Sequence, residues 1–176
     1  MKLSFESAHK TRSVFWFGPI DYIYGSGNSR TELKKCPIET HKTINELGKK
    51  LGRTVRKGIT FNSCLVNFYE NETKMVPKHS DDEVIFDVDP VIASLSFGAA
   101  RRFIIEPKND ENSLKRYNDS QFLKSIKSRY VFCLSDGDLI VMSGSMQRYW
   151  NHSVPPETLT CGPRINLTFR SVRDSS

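Results

Sequence analysis

Hydrophobic and polar positions alternate with a period of two along several short stretches, and this pattern predicts a protein built mainly of β-strands. The strictest alternation spans residues 164–170, where Ile165, Leu167 and Phe169 share one face and polar side chains occupy the other. Further strands are predicted at residues 61–69, 91–97, 102–105, 130–134 and 138–142.

Turn residues punctuate these strands. Gly98-Ala99-Ala100 is consistent with a hairpin between the strands on either side, and Ser135-Asp136-Gly137 predicts a strand, a turn and a strand. Residues 13–26 are dense in aromatic side chains and are broken by Gly18-Pro19, which indicates two short extended pieces around a turn.

One helix is predicted to begin at Pro37, because Ile44, Leu47 and Leu51 recur at spacings of three and four. Gly52 is expected to end it. A polar loop is expected at residues 109–118, with a short helix around residues 122–126. These elements place the chain in a mainly β class with flanking helices.

The length of 176 residues suits one well-buried domain. No apolar run reaches the length of a membrane span, and the first residues contain no apolar core of a signal peptide, so we expect a cytoplasmic location. The four cysteines are scattered without a C-x-x-C pair, which favours free thiols.

The formal net charge of +6 favours a polyanionic partner. The alternative is the solvated surface of an ordinary basic protein. The basic residues cluster at Lys34-Lys35, Lys49-Lys50, Arg53, Arg56-Lys57 and Arg101-Arg102.

A candidate metal site begins with His79 and Asp81, which would present an imidazole and a carboxylate on one face of an extended segment. Such a pair also arises by chance. His152 lies far downstream, and two histidines with one carboxylate are the ligand set typical of non-haem Fe(II) oxygenases. This spacing suits ligands on different strands. His9 and His41 have no partner at ligand spacing and are interpreted as ordinary histidines.

The polar face of the last strand carries Arg164, Asn166, Thr168 and Arg170. Two arginines on one face suggest an anion site, since guanidinium groups bind carboxylates through two parallel hydrogen bonds. The alternative is a solvated face on an edge strand.

The order of these motifs resembles the AlkB family of Fe(II)- and 2-oxoglutarate-dependent dioxygenases over nearly the whole chain. The motifs are Asn67-x-Tyr69, His79-x-Asp81, His152 and Arg164-x-Asn166-x-Thr168-x-Arg170. The resemblance implies a double-stranded β-helix, or jelly roll. It also implies a single domain over residues 1–176, with 1–60 as a substrate lid and helical support and 61–173 as the jelly-roll core.

The resemblance further implies a role for each matching position. The metal ligands for Fe(II) would be His79, Asp81 and His152. The residues facing the co-substrate 2-oxoglutarate, which reacts together with O2, would be Asn67, Tyr69, Arg164, Asn166 and Arg170. The residues contacting the substrate base would be Tyr22, Tyr24 and Glu83.

The implied function is oxidative demethylation of 1-methyladenine, 3-methylcytosine or N6-methyladenine in methylated RNA or single-stranded DNA, with RNA favoured. The pattern His-x-Asp-Asp-Glu looks most like the AlkB domains of plant RNA virus replicases, which implies a domain of a larger polyprotein in the host cytoplasm; nuclear eukaryotic members of the family are the alternative source. We also expect the protein to be a monomer. The alternatives are a 2-oxoglutarate-dependent protein hydroxylase and a non-catalytic RNA-binding module.

Overall fold

A computed structural model of the chain describes residues 11–24, 30–87, 89–108 and 128–173. Within this part, strands and two α-helices confirm the mainly β class. The strands are β1 (Ser13–Phe17), β2 (Tyr22–Tyr24), β3 (Thr31–Leu33), β4 (Ser63–Tyr69), β5 (Val76–His79), β6 (Ile92–Gly98), β7 (Arg101–Pro107), β8 (Tyr130–Leu134), β9 (Leu139–Met142), β10 (Trp150–Val154) and β11 (Arg164–Arg170). The helices are α1 (Lys42–Val55) and α2 (Met146–Tyr149), with a 3₁₀ turn at Ile38–Thr40.

Two antiparallel sheets form the body of the fold. The larger has the order β1-β4-β11-β6-β9 and the smaller the order β5-β10-β7-β8. One buried cluster takes Tyr69 and Ile92 from the larger sheet and Phe103 and Val154 from the smaller, so the two inner faces share a core. This arrangement confirms the double-stranded β-helix.

The predicted hairpin at residues 98–100 is wrong, because β6 and β7 lie in different sheets. The strands β8 and β9 are confirmed, but they also lie in different sheets and pair with β7 and β6. Both short connections therefore carry the chain from one sheet to the other. Gly98 has a φ of +85°, and a Cβ there would lie 2.5 Å from the carbonyl oxygen of Pro163.

The predicted helix is confirmed as α1, but it continues past Gly52 to Val55. Gly52 lies inside the helix, where a Cβ would lie 2.5 Å from the carbonyl oxygen of Ile59, so this close contact accounts for the glycine. The apolar face of α1 packs on the outer face of the larger sheet, where it contributes Ile44 to a buried cluster with Phe169.

The N-terminal part contributes directly to the larger sheet, since β1 pairs with β4. The two extended pieces predicted around Gly18-Pro19 are confirmed as β1 and β2. The sequence did not reveal β3, which forms a small hairpin with β2. The predicted loop at 109–118 and helix at 122–126 lie outside the described residues. Among the described helices, none has the length and apolar character needed to cross a membrane.

Candidate active site

The register between β5 and β10 brings His79 and His152 together, because these residues are directly opposed in the antiparallel pair. Their ring centroids are 4.3 Å apart. Asp81 follows just after β5, and its Oδ1 lies 3.4 Å from Nε2 of His79. One potential ligand atom from each of the three residues lies within 4.8 Å of the others, so the set can hold one metal ion.

Asp81 is fully enclosed, with 1% of its surface exposed. Its Oδ2 accepts hydrogen bonds from NH2 and Nε of Arg170 at 2.7 and 3.1 Å. Burial alone raises the pKa of the Asp81 carboxyl, but the Arg170 guanidinium and the two histidines outweigh it and hold this pKa well below its usual range. Asp81 therefore suits the role of an anionic ligand, and its second oxygen is already oriented by Arg170.

The surroundings of the two histidines orient them as potential metal ligands. Nδ1 of His79 lies 2.8 Å from the carbonyl oxygen of Pro77, which fixes the ring and leaves Nε2 toward Asp81. Burial, together with His79, lowers the pKa of His152 to about 3. Nδ1 of His152 is buried without a hydrogen-bond partner in the described part of the chain. Two imidazoles and one carboxylate fit Fe(II).

The polar stripe of β11 faces the interior between the sheets. β11 is central in the larger sheet, and Arg164, Asn166, Thr168 and Arg170 are all buried. The alternative of a solvated face on an edge strand is therefore wrong. Buried guanidinium groups require anionic or acceptor partners, which makes this stripe a binding surface within the cavity.

The cavity offers unpaired donors at two separate arginines. Nε and NH1 of Arg164 and NH1 of Arg170 are buried without partners in the described residues. Both side chains line the same cavity as His79 and His152. Arg164 and Arg170 therefore fit a small dicarboxylate such as 2-oxoglutarate, with one carboxylate near each guanidinium.

Tyr69 stands beside Arg164, because the register of β4 and β11 pairs these two residues. The guanidinium carbons of Arg164 and Arg101 lie 5.1 and 5.4 Å from the Tyr69 ring centroid. Burial lowers the pKa of Arg164, and the Tyr69 phenol acts against this shift. Tyr69 is thus held by two cations at the end of the cavity where the Arg164 guanidinium lies.

Asn67 and Asn166 form the middle of a hydrogen-bond network, and they are directly opposed across β4 and β11. Nδ2 of Asn166 donates to Ser94 Oγ at 2.8 Å, and its Oδ1 accepts from Thr168 Oγ1 at 2.8 Å. Asn67 accepts from Nε of Arg12 at 2.6 Å. In this structure both asparagines support the cavity wall, and their contact with 2-oxoglutarate stays a prediction.

Tyr22 and Glu83 meet next to the metal-ligand segment. The Tyr22 hydroxyl donates to Glu83 Oε1 at 2.8 Å. The Tyr22 ring is only 1% exposed and packs against Trp16 and Phe86, with centroids 4.6 and 5.9 Å away. In this structure the ring therefore has no open face on which a base could stack, and contact between Tyr22 and the substrate stays a prediction. The side chain of Tyr24 lies outside the described part of the chain.

Only one of the two Glu83 carboxyl oxygens, Oε1, has a hydrogen-bond partner among the described residues. Burial, followed by the charge of Asp81, raises the pKa of Glu83. Its Oε2 is buried and has no hydrogen-bond partner in the described residues. A donor entering beside the metal ligands would satisfy this acceptor.

Sequence reasoning missed three residues that support the site. Arg12 lines the cavity, and Gln147 accepts a hydrogen bond from the backbone N–H of Asp81 at 2.9 Å. Lys108 donates to the carbonyl of Gln147 at 2.8 Å and lies 3.3 Å from Asp82. No sequence spacing could have revealed these contacts, because the partners of all three residues lie far away in the sequence. The alternation in Ser94-Leu95-Ser96 was a usable signal for the cavity wall.

Comparison with known proteins agrees with this geometry. A sequence profile of the 2OG-Fe(II) oxygenase superfamily matches residues 5–170. The human alpha-ketoglutarate-dependent dioxygenase alkB homolog 3 is 37% identical over 163 residues, which cover 92% of this chain and 51% of that protein. The Arabidopsis thaliana DNA oxidative demethylase ALKBH2 is 42% identical over 125 residues, covering 67% of this chain and 40% of that protein. The chain thus spans about half the length of these relatives, or less.

The solved structure of OsALKBH1 superposes with a TM-score of 0.55. The match covers 97% of this chain and 84% of that chain, at 18% sequence identity. At this identity the likeness supports the fold alone.

Proposed function

The chain belongs to the AlkB family within the 2OG-Fe(II) oxygenase superfamily, and on this premise we propose that it oxidatively demethylates N-methylated nucleobases in single-stranded nucleic acid, preferably RNA. The preferred lesions are 1-methyladenine and 3-methylcytosine, in which the methylated ring carries a positive charge. N6-methyladenine, which is neutral, would bind more weakly to an acidic contact.

The cavity residues divide the work of the reaction. His79, Asp81 and His152 would hold the iron, and Arg164 and Arg170 would orient the two carboxylates of 2-oxoglutarate. When bound, Fe(II) and 2-oxoglutarate supply the oxidation: O2 places one oxygen on the methyl group and the other in succinate as CO2 leaves. The resulting N-hydroxymethyl group loses its hydroxyl proton to water and departs as formaldehyde when the C–N bond breaks, and the base nitrogen keeps the electron pair of that bond.

The observation that carries the substrate assignment is the carboxyl of Glu83. It lies two residues from the ligand Asp81, and Oε2 has no partner among the described residues. The exocyclic amino group of adenine or cytosine is a donor on the Watson–Crick edge, and the methylated ring adds positive charge. Glu83 therefore suits a cationic methylated base, while the Tyr22 hydroxyl fixes the other oxygen.

A preference for unpaired strands is supported by the composition of the sequence between β2 and β3. This sequence, Gly25-Ser26-Gly27-Asn28-Ser29-Arg30, includes no large apolar residue. Proteins that open a duplex often insert such a side chain between bases, and unpairing a base costs a few kcal/mol. The net charge of +6 favours a polyanion without distinguishing RNA from DNA. The resemblance to viral replicase domains stays a prediction, since the relatives described above are human and plant proteins.

The test compares one methylated base in matched single-stranded RNA, single-stranded DNA and duplex DNA, with nucleosides quantified by mass spectrometry. We expect the fastest demethylation in single-stranded RNA and none with His152→Ala. Faster repair of the duplex would contradict the unpaired-strand proposal. Oxidation of 2-oxoglutarate with no loss of methylated base in any substrate would contradict the nucleobase assignment.

A Glu83→Gln variant tests whether the Glu83 carboxyl recognises the methylated base. Glutamine keeps the shape and can still accept from Tyr22, but it removes the negative charge. We expect demethylation of 1-methyladenine to fall more than demethylation of neutral N6-methyladenine. An equal loss on both bases would show that Glu83 does not read the charge of the methylated ring.

A further inference from the structure

Helix α1 is pressed closely against the larger sheet along one side. Leu47, Leu51 and Val55 pack against the buried cluster beneath the helix. A Cβ at Gly48 would lie 3.2 Å from the Phe169 ring. The orientation of the helix is therefore fixed, and so is the direction in which its opposite side faces.

The opposite side of α1 and the turn after it carry an exposed cluster of cations. We call this cluster the α1 basic strip, and its members are Lys49, Lys50, Arg53, Arg56 and Lys57. None of them forms an ion pair within the described residues. The single acidic residue of the helix, Glu46, lies 3.9 Å from Lys42. Nearby, Asp87 and Asp89 are already paired with other arginines.

The positive charges of the strip do not give helix α1 a net stabilisation. Lys49 and Arg53 are separated by four residues and Lys50 and Arg53 by three, so like charges are neighbours and cost a few tenths of a kcal/mol per pair. Arg53 stands in the last turn, where a cation interacts favourably with the helix dipole, but Lys49 and Lys50 stand before that turn. Folding therefore does not account for this concentration of charge.

The strip lies on the side of the larger sheet opposite the catalytic cavity. The cavity is lined by the inward stripe of β11, whereas α1 packs on the outward face near Phe169. The helix adds its own diameter of about 10 Å to that separation. A ligand of the strip therefore cannot be the reacting nucleotide.

We propose that the α1 basic strip binds the sugar-phosphate backbone of the same nucleic acid, several nucleotides away from the base in the cavity. The identity of this polyanion rests on the proposed function. Exposed, unpaired lysines and arginines on a rigid helix contact phosphates without reading sequence. The strip would thus increase the affinity for long strands and leave the chemistry on short ones unchanged.

The test uses a strip variant, Lys49→Gln/Lys50→Gln/Arg53→Gln, and a control variant, Lys34→Gln/Lys42→Gln/Arg173→Gln. Both remove three positive charges from exposed positions, but each control residue already has an ionic partner. Affinity for unmodified single-stranded RNA of about 20 nucleotides is measured over a range of salt concentrations. Each lost phosphate contact lowers the salt slope by about 0.7, so we expect a decrease of about 2 for the strip variant.

The control variant should keep a slope close to that of the unmodified protein, and the strip variant should melt at an equal or higher temperature. For a methylated strand of about 5 nucleotides, we expect equal turnover by both variants. The same salt slope for the two variants on long RNA would overturn the proposal. So would weaker binding of the strip variant to anionic lipid vesicles with unchanged RNA affinity. The salt slope is a binding measurement on unmodified RNA and requires no turnover. A failure of this proposal can therefore be distinguished from a failure of the proposed demethylation.

Discussion

The buried pair of Arg170 and Asp81 offers a direct test of how the metal site is built. Both side chains are at most 3% exposed, and two hydrogen bonds join them. Replacing Arg170 by Met leaves the Asp81 carboxylate buried without its main compensating charge. Breaking a buried pair from one side costs about 3–5 kcal/mol. For a domain of this size, that loss lowers the melting temperature by roughly 6–20 °C.

The assay is thermal unfolding of the metal-free protein in chelator, followed by the same measurement with Mn(II). The cation binds next to Asp81 and supplies positive charge that the variant lacks. We therefore expect Mn(II) to raise the melting temperature of Arg170→Met by more degrees than that of the unmodified protein. The reason is that the ion compensates a buried Asp81 charge that Arg170 already compensates in the unmodified protein.

The matched control is Arg173→Met. The Nε of Arg173 also bonds a carboxylate, Asp87, at 2.9 Å, but both side chains are more than half exposed. Such a surface pair contributes about 0–1 kcal/mol, so the melting temperature should hardly change. The double variant Arg170→Met/Asp81→Asn should lose less stability than the sum of its single variants. Equal effects of Arg170→Met and Arg173→Met, or strict additivity in the double variant, would refute the reasoning.

Three other substitutions test separate parts of the site. His152→Ala should abolish succinate formation while leaving the circular dichroism spectrum intact, and residual activity near that of the unmodified protein would remove His152 from the ligand set. Arg164→Lys should raise the KM for 2-oxoglutarate by about tenfold or more, since an ammonium cannot reproduce the planar fork; a change confined to RNA affinity would contradict this. Gln147→Leu leaves the buried N–H of Asp81 unpaired, which costs about 1–3 kcal/mol, so both the melting temperature and the Mn(II) affinity should fall. Unchanged Mn(II) affinity would show that Gln147 does not position Asp81.

Much of the local structure was predictable because it depends on short-range periodicity. The alternation of β11 located its two faces, and the spacing of Ile44, Leu47 and Leu51 located α1. The end of α1 was not predictable. Gly52 has the residue type of a helix terminus, yet its small size serves the close approach of Ile59.

Which strands pair with each other could not be predicted from the local sequence pattern. Gly98-Ala99-Ala100 and Ser135-Asp136-Gly137 have turn chemistry, and this chemistry is compatible both with a hairpin and with a passage between two sheets. The choice depends on which strands bury each other's side chains, which is a property of the whole sandwich.

The sequence by itself determined the chemical set: two histidines, one aspartate and a stripe with two arginines, in an order that identifies the family. Only the tertiary structure decided which of these groups are paired and which remain available. Arg170 is largely committed to Asp81, whereas Arg164 keeps two buried donors without partners in the described part of the chain. Hydrogen bonds and burial join residues that lie far apart in the chain, so the availability of a donor cannot be read from its neighbours in sequence.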